Sequence, residues 1–367
     1  MQQVPEHFPS TKPVTQAHEP TSPSPAPRRP VRRLIRALGR LILWLVVLAL
    51  SGWAVLAIYF ADLSAAPPRT VRAALFAVAV VASIVLIRPR KYALATVAVL
   101  VAAVLAWYFS IPASNDRDWS ADNARTARVV FDGDKIIVHN VRDCDWRSDS
   151  DFTPRWEDRT YRLSQLRSVD VTFCHWGSKA IAHLIVSFGF ADGQYLCVSI
   201  ETRKERVEHE VPMLQTAFRN YELIYVFADE RDSIRVRTNC RNQNLYMFRT
   251  NLTPNEAEVL FRSYATRANE LAEHPAFYNA LTSNCVTNVV HLSRVIHPTA
   301  RISWDMLLSG YAPRRGYRNG RLDTRIPFEE LEARSLIDKA AQAADKDPNF
   351  SAAIRADLPV PQPHLPK

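Results

Sequence analysis

The sequence predicts an α+β protein, a soluble domain with an antiparallel sheet and packed helices, carried on an apolar three-helix anchor. Three observations carry this. Uncharged runs at Leu41–Phe60, Ala73–Ile87 and Tyr92–Ser110 crowd into the first third of the 367 residues. Ala182–Phe190 and Gln194–Glu201 alternate apolar and polar residues at period two about a turn ending in Gly193. Ala257, Leu260, Phe261, Tyr264, Ala268 and Leu271 recur at helical spacing.

The charges agree with an anchor. Residues 1–110 carry twelve Lys/Arg against three Asp/Glu, and the rest of the chain carries 34 of each sign. The net charge of +9 therefore belongs to the apolar third, which points to membrane orientation and not to a nucleic-acid surface. Residues 1–30, rich in Pro, Ser and Thr, read as disordered. Arg28, Arg29, Arg32, Arg33, Arg36 and Arg40 then precede Leu41–Phe60, which is long enough to span a bilayer. The long basic preamble favours an uncleaved anchor over a signal peptide. Arg88-Pro89-Arg90-Lys91 is a basic turn between the second and third runs. By the positive-inside rule it lies in the cytoplasm with the N-terminus, so everything after Ser110 is expected in the periplasm of a Gram-negative cell.

The soluble part follows. Arg128–Phe131, Asp132-Gly133-Asp134 and Lys135–Val141 read as a hairpin, and residues 142–165 as loops. In the hairpin 182–201, Leu184, Val186, Phe188 and Phe190 share a face with Leu196, Val198 and Ile200 only if Ala191-Asp192-Gly193 is the loop. Paired residue numbers then sum to 384, and His183 faces Glu201 on the side away from the core. Leu223–Ala228, Ser233–Arg237 and Leu245–Phe248 read as strands. Thr253-Pro254-Asn255-Glu256 carries a capping Thr, an early Pro and a Glu three residues on, opening a helix over 254–272. Segment 314–335 is aperiodic, and 336–356 is expected to hold one last helix.

A second helix opens at Cys285, after Thr282-Ser283-Asn284. A thiol at a helix N-terminus meets free N–H groups and the positive end of the dipole, which favour the nucleophilic thiolate and place its pKa below about 8.5. The Cys285 amide could serve an oxyanion. The plain alternative is a buried core thiol. A nucleophilic thiol needs a base and a group to orient that base. His183 can supply the base, and Glu201, or Ser199, can orient it. His175 competes with His183; His291, six residues along the Cys285 helix, falls on the opposite face. The five cysteines show no CxxC or Cys/His ligand spacing, and no Gly-rich phosphate loop is visible, so no metal or cofactor is implied.

Arg117-Asp118-Trp119, Asn140-Val141-Arg142-Asp143, Ala182-His183-Leu184-Ile185-Val186-Ser187-Phe188, Ser199-Ile200-Glu201-Thr202-Arg203 and Asn284-Cys285-Val286-Thr287 occur in this order. Together they resemble the Lnb N-terminal periplasmic domain family over roughly 117–310. The resemblance implies a papain-like fold of the permuted sort, with His before Cys, and marks Cys285 and His183 as a catalytic pair with Glu201 in support. It implies acyl transfer or hydrolysis through a thioester, on a lipoprotein, phospholipid or other envelope substrate. A peptidoglycan endopeptidase or amidase, or a non-catalytic tethered module, are the alternatives. Val286 departs from the small polar residue that members often carry after the Cys. The expected organisation is a basic cytoplasmic tail (1–40), three transmembrane helices (41–110), a periplasmic thiol-enzyme-like domain (111–335) and a C-terminal helix and tail (336–367).

Overall fold

The computed structural model describes residues 29–61, 68–175, 177–206, 214–299 and 308–361. The expected disorder of residues 1–30 lies outside the described residues, apart from Arg29 and Pro30, which open a helix.

That helix, α1 (Arg29–Phe60), starts well before the expected Leu41. Arg32, Arg33, Arg36 and Arg40 therefore ride on the same helix as the apolar run. Leu, Ala and Arg are good helix formers, and Pro30 falls where a helix tolerates it. The helices α2 (Arg69–Leu86) and α3 (Arg90–Ser110) follow, and all three are long and apolar enough to cross a membrane. The chain divides at Gly52, and from Trp53 onward it forms one compact unit. Within that unit Ala54, Ala57 and Ala61 pack with Ala73, Val104 and Tyr108. Such small residues let helix backbones approach closely without polar contacts.

The segment after α3 is tied to the soluble domain. Ser114 N–H donates to Glu222 at 3.1 Å, and Arg117 pairs with the same carboxylate at 2.8 Å. Glu222 is 1% exposed, and burial outweighs Arg117 to push its carboxyl up to about 7.

The soluble domain is built on strands β1 (Arg128–Asp132), β2 (Lys135–Arg142), β5 (Trp156–Arg162), β6 (Leu166–His175), β7 (Ala182–Phe190), β8 (Tyr195–Arg203), β9 (Glu222–Ala228) and β10 (Asn244–Arg249), with β3 (Asp145–Trp146) and β4 (Phe152–Thr153) as a small separate ribbon. The main sheet runs β1-β2-β9-β8-β7-β6-β10, with β5 added on β2. It is mixed, because Arg142 of β2 pairs parallel with Ala228 of β9 while the other pairings are antiparallel. Strand β5 occupies part of the stretch 142–165 expected as loops.

The β7–β8 register holds as the alternation predicts, with Ile185↔Ser199, Val186↔Val198 and Phe188↔Leu196. Gly193 sits at φ +85°, a conformation that a side chain would strain, and closes the three-residue turn. Leu184, Val186, Phe188 and Phe190 join Leu196, Val198 and Ile200 in one core. Helix α5 (Pro254–Glu273) buries Ala257, Leu260, Phe261, Tyr264 and Leu271 against that face. The Thr253/Glu256 capping box starts it. Helix α6 (Cys285–Ser293), capped reciprocally by Asn284 and Thr287, packs beside it.

The opposite face is also a core. Ile185, Cys197, Ile224, Val226, Leu245 and Met247 are covered by Ile337, Ala341, Phe350 and Ile354. The side of the sheet expected to face away from the core is thus roofed by short helices at Asp338–Ala343 and Phe350–Ala353, where one helix was expected. Arg355 fastens this roof. It donates to Asp170 at 2.8 Å and to Glu230 at 2.6 Å, both fully buried, and lies 3.6 Å from the Tyr195 ring centroid. Two further expectations are corrected. Residues 233–237 are not a strand, because the Asp229 side chain caps a short helix, α4 (Glu230–Ser233), that runs on into a turn at Val236–Cys240. The segment 314–335 contains helices at Ala312–Arg318 and Phe328–Arg334.

Candidate functional site

Strand alternation decides what each residue at the head of β7 and the tail of β8 faces. His183, Ser199 and Glu201 point to the second face, at the end of the sheet where the roof stops. The α6 N-terminus reaches the same end. A cavity of about 530 Å³ opens there, and His183, Glu201 and Cys285 all line it, with Arg237, Arg241 and Tyr278.

Glu201 does not hold the imidazole directly. His183 Nε2 is 2.6 Å from Ser199 Oγ, and Ser199 Oγ is 2.7 Å from Glu201 Oε1, while Nε2 and Oε1 are 3.8 Å apart. The serine therefore bridges them. Glu201 in turn accepts from Arg237 at 2.9 Å and lies 3.9 Å from Arg142, which is held by Asp232 at 2.9 Å. Burial alone would raise the Glu201 carboxyl. Arg142 and Arg237, helped by His183 and the Ser199 hydroxyl, overcome this and hold it well below the usual carboxylate range.

The ionised carboxylate can only accept, so the Ser199 hydroxyl donates to it. The Ser199 oxygen then accepts from His183, which places the imidazole proton on Nε2 and leaves Nδ1 as a free base. Burial, with Arg237, Arg241 and Arg142 close by, pushes this ring down to about 3 against the pull of Glu201. The resting ring is neutral.

Cys285 corrects one expectation. The amides of Leu184, Val286 and Cys285 do favour its thiolate, as a helix N-terminus should. Burial is the larger effect and pushes the thiol up, and the Glu201 charge adds to that. Burial therefore works against a resting thiolate–imidazolium pair. Among the described residues no hydrogen bond links Cys285 Sγ to His183, although the sulfur lies close enough to feel the amide of Leu184, the neighbour of His183. All five cysteines are free thiols.

The rival histidines lie elsewhere. His175 pairs with Ala182, while Cys174 pairs with His183, so His175 points to the other sheet face. It stacks edge-on against Tyr246 at 5.4 Å and does not line the cavity. His291 is exposed and contacts Arg294 at 3.1 Å. The sequence reading passed over Arg237, which it placed on a strand, and gave Arg142 no role. The only signal for Arg142 was its position in Asn140-Val141-Arg142-Asp143. The bridging Ser199 is visible in the i, i+2 spacing of Ser199 and Glu201, which puts both on one face of a strand.

A second cavity, of about 520 Å³ and largely apolar, lies on the other side of Val286, between α6 and Val171, Phe173 and Val186 of the sheet.

The family model of the Lnb N-terminal periplasmic domain matches residues 152–310, a stretch that contains Cys285, His183, Ser199 and Glu201. No curated protein and no solved structure matches the chain. The periplasmic-domain match and the three apolar helices fit an inner-membrane protein.

Proposed function

We propose that the chain is a membrane-anchored cysteine-dependent acyltransferase or hydrolase, with Cys285 as nucleophile, His183 as base and Ser199–Glu201 as the pair that orients His183. The observation that carries this is the hydrogen-bonded row His183–Ser199–Glu201 ending in the cavity that Cys285 also lines. The permuted papain-like order of His before Cys belongs to the same proposal.

Because thiol and imidazole both rest neutral, the proton moves as the thiol attacks. Cys285 Sγ adds to an ester or amide carbonyl while His183 Nδ1 takes its proton. The Cys285 amide, at the first turn of α6, faces the oxyanion. Collapse breaks the bond to the leaving group, and His183 returns the proton to it. An amine or water then resolves the thioester by the same steps in reverse. The substrate class that suits the family match and the anchor is a lipoprotein, phospholipid or other envelope acyl group.

Orientation follows from the basic residues. The N-terminus and Arg88–Lys91 lie in the cytoplasm and the soluble domain in the periplasm. Alkaline phosphatase fused after residue 115 should be active, and activity of a cytoplasmic reporter there instead would overturn the placement.

The raised Cys285 thiol and its missing bond to His183 favour one other reading, a tethered module that binds without catalysis. Intact-mass analysis after incubation with native membranes separates the two. An acyl or peptidyl adduct on Cys285, absent from Cys285→Ser and from His183→Ala, supports the enzyme and names the acyl group. Absence of any adduct across substrates supports the module.

A further inference from the structure

Two loops flank the Cys285 cavity, and both are fastened to the ends of the apolar helices. Asn279 Nδ2 donates to Ala217 O at 2.8 Å, and Ala280 N–H donates to Thr216 O at 3.1 Å, so loops 214–220 and 278–283 are joined to each other. Thr216 and Ala280 line the cavity. From the first of these loops, Phe218 stacks on Phe60 at the end of α1, with centroids 5.5 Å apart. Arg219 donates to Phe109 O at 2.9 Å and Ile111 O at 3.2 Å at the end of α3, and its guanidinium lies over Tyr108 and Phe109.

Phe60, Tyr108 and Phe109 stand where spanning helices place the aromatics of the membrane–water interface. With α1–α3 spanning a bilayer, the loops are held at the depth of the lipid headgroups. At that level they present bare leucines, Leu214 at 54% and Leu281 at 71% exposure. Large apolar side chains left in water gain nothing, whereas apolar residues beside a cation are the usual composition of a surface that enters the interface.

We propose that Leu214 and Leu281 insert into the phospholipid bilayer, so that the mouth of the Cys285 cavity opens on the membrane surface. The occupant is the bilayer of the anchor itself, since the loops that carry the leucines are bound to its aromatic ends through Phe218 and Arg219. A group carried on a lipid reaches the thiol without crossing open water. The inference rests on α1–α3 spanning the membrane and not on the reaction assigned to Cys285.

The test is photo-crosslinking of the full chain in phosphatidylethanolamine–phosphatidylglycerol vesicles. Photoreactive p-benzoylphenylalanine replaces Leu214, Leu281, Val99 or Asp192 in turn. Val99, 68% exposed on α3, reports the bilayer. Asp192, exposed at the β7–β8 turn, sits about 30 Å along the strand from His183. Lipid-mass adducts at positions 214 and 281 should exceed those at 192 by about tenfold and approach those at 99. Adducts at 99 with none above the 192 level at either leucine overturn the proposal, as do crosslinks from 281 to a second copy of the chain. Absence of adducts at 99 overturns the spanning helices and the proposal with them. Neither result bears on whether Cys285 is acylated.

Discussion

Lowering the pH should act on this domain in two opposite ways, and two variants separate them. An unfolded imidazole titrates near 6.5, while the buried His183 ring is held near 3. Between these values the unfolded chain binds more protons, so stability is lost as the pH falls below 6.5. At pH 4.5 the loss is two pH units at about 1.4 kcal/mol each, or about 3 kcal/mol. Glu222 has the reverse sign. Its carboxyl is raised from 4.5 to about 7, so the folded chain takes the proton first, and its contribution is present at pH 4.5 and lost as the pH rises through 7. That gain is about 3 kcal/mol on the same arithmetic. The wild type should show little net change between pH 7 and 4.5 from these two groups. Relative to it, His183→Gln should gain about 3 kcal/mol on acidification and Glu222→Gln should lose about 3 kcal/mol. For a domain of this size these are midpoint shifts of roughly 5–10 °C in opposite directions. Tryptophan-fluorescence melts of the full chain in detergent micelles at the two pH values read them. His175 and His297, also pushed down by burial, are common to all three proteins and cancel in the difference. Glu201 is held low, and its unfolded counterpart protonates only at the acid edge of the window. If His183→Gln followed the wild-type pH dependence, the ring would not be held neutral and the proton assignment to Nε2 would fall.

Alkylation of Cys285 by iodoacetamide should be slow at pH 7 and rise only above the ordinary thiol range, read peptide by peptide by mass spectrometry; fast labelling at neutral pH would restore the preformed thiolate. Ser199→Ala should cost about 1–2 kcal/mol of stability yet slow Cys285 acylation by about 10²–10⁴-fold, because the ring loses its tautomer and its hold. Glu201→Gln should also destabilise, by about 2–4 kcal/mol, since it strips Arg237 of its anion, and equal melting points for Glu201→Gln and wild type would contradict the burial of that pair. Phe261→Ala, which removes a fully buried ring edge-on to Phe188 at 5.0 Å, should cost about 3–5 kcal/mol in a denaturant titration with the site left intact.

What the sequence disclosed depended on whether a signal was local. The β7–β8 register could be read because the apolar alternation and Gly193 constrain each other within twenty residues. The Cys285 and Pro254 helices could be read because their caps are written in four consecutive residues. Strand β6 escaped because Asp170 and Thr172 interrupt it, and these face a core whose compensating Arg249 and Arg355 lie far along the chain. Strand β5 escaped because Glu157, Asp158, Arg159 and Arg162 give it the charged look of an edge strand. The covered second face was invisible for the same reason, being roofed by residues beyond 337. The site, expected on the face away from the core, is desolvated, and burial outweighs the helix N-terminus at the Cys285 thiol, against the direction expected for it.

The Arg355 clamp has a consequence in time. Glu230 and Arg355 are separated by 125 residues. At about 5–20 residues per second, synthesis leaves the carboxylate waiting roughly 6–25 s for the guanidinium that neutralises it. Among the described residues Arg355 is the cation Glu230 meets, and an isolated carboxylate resists being dehydrated. Through that interval the second core cannot close dry over Glu230, so the segment around Arg355 completes that core last.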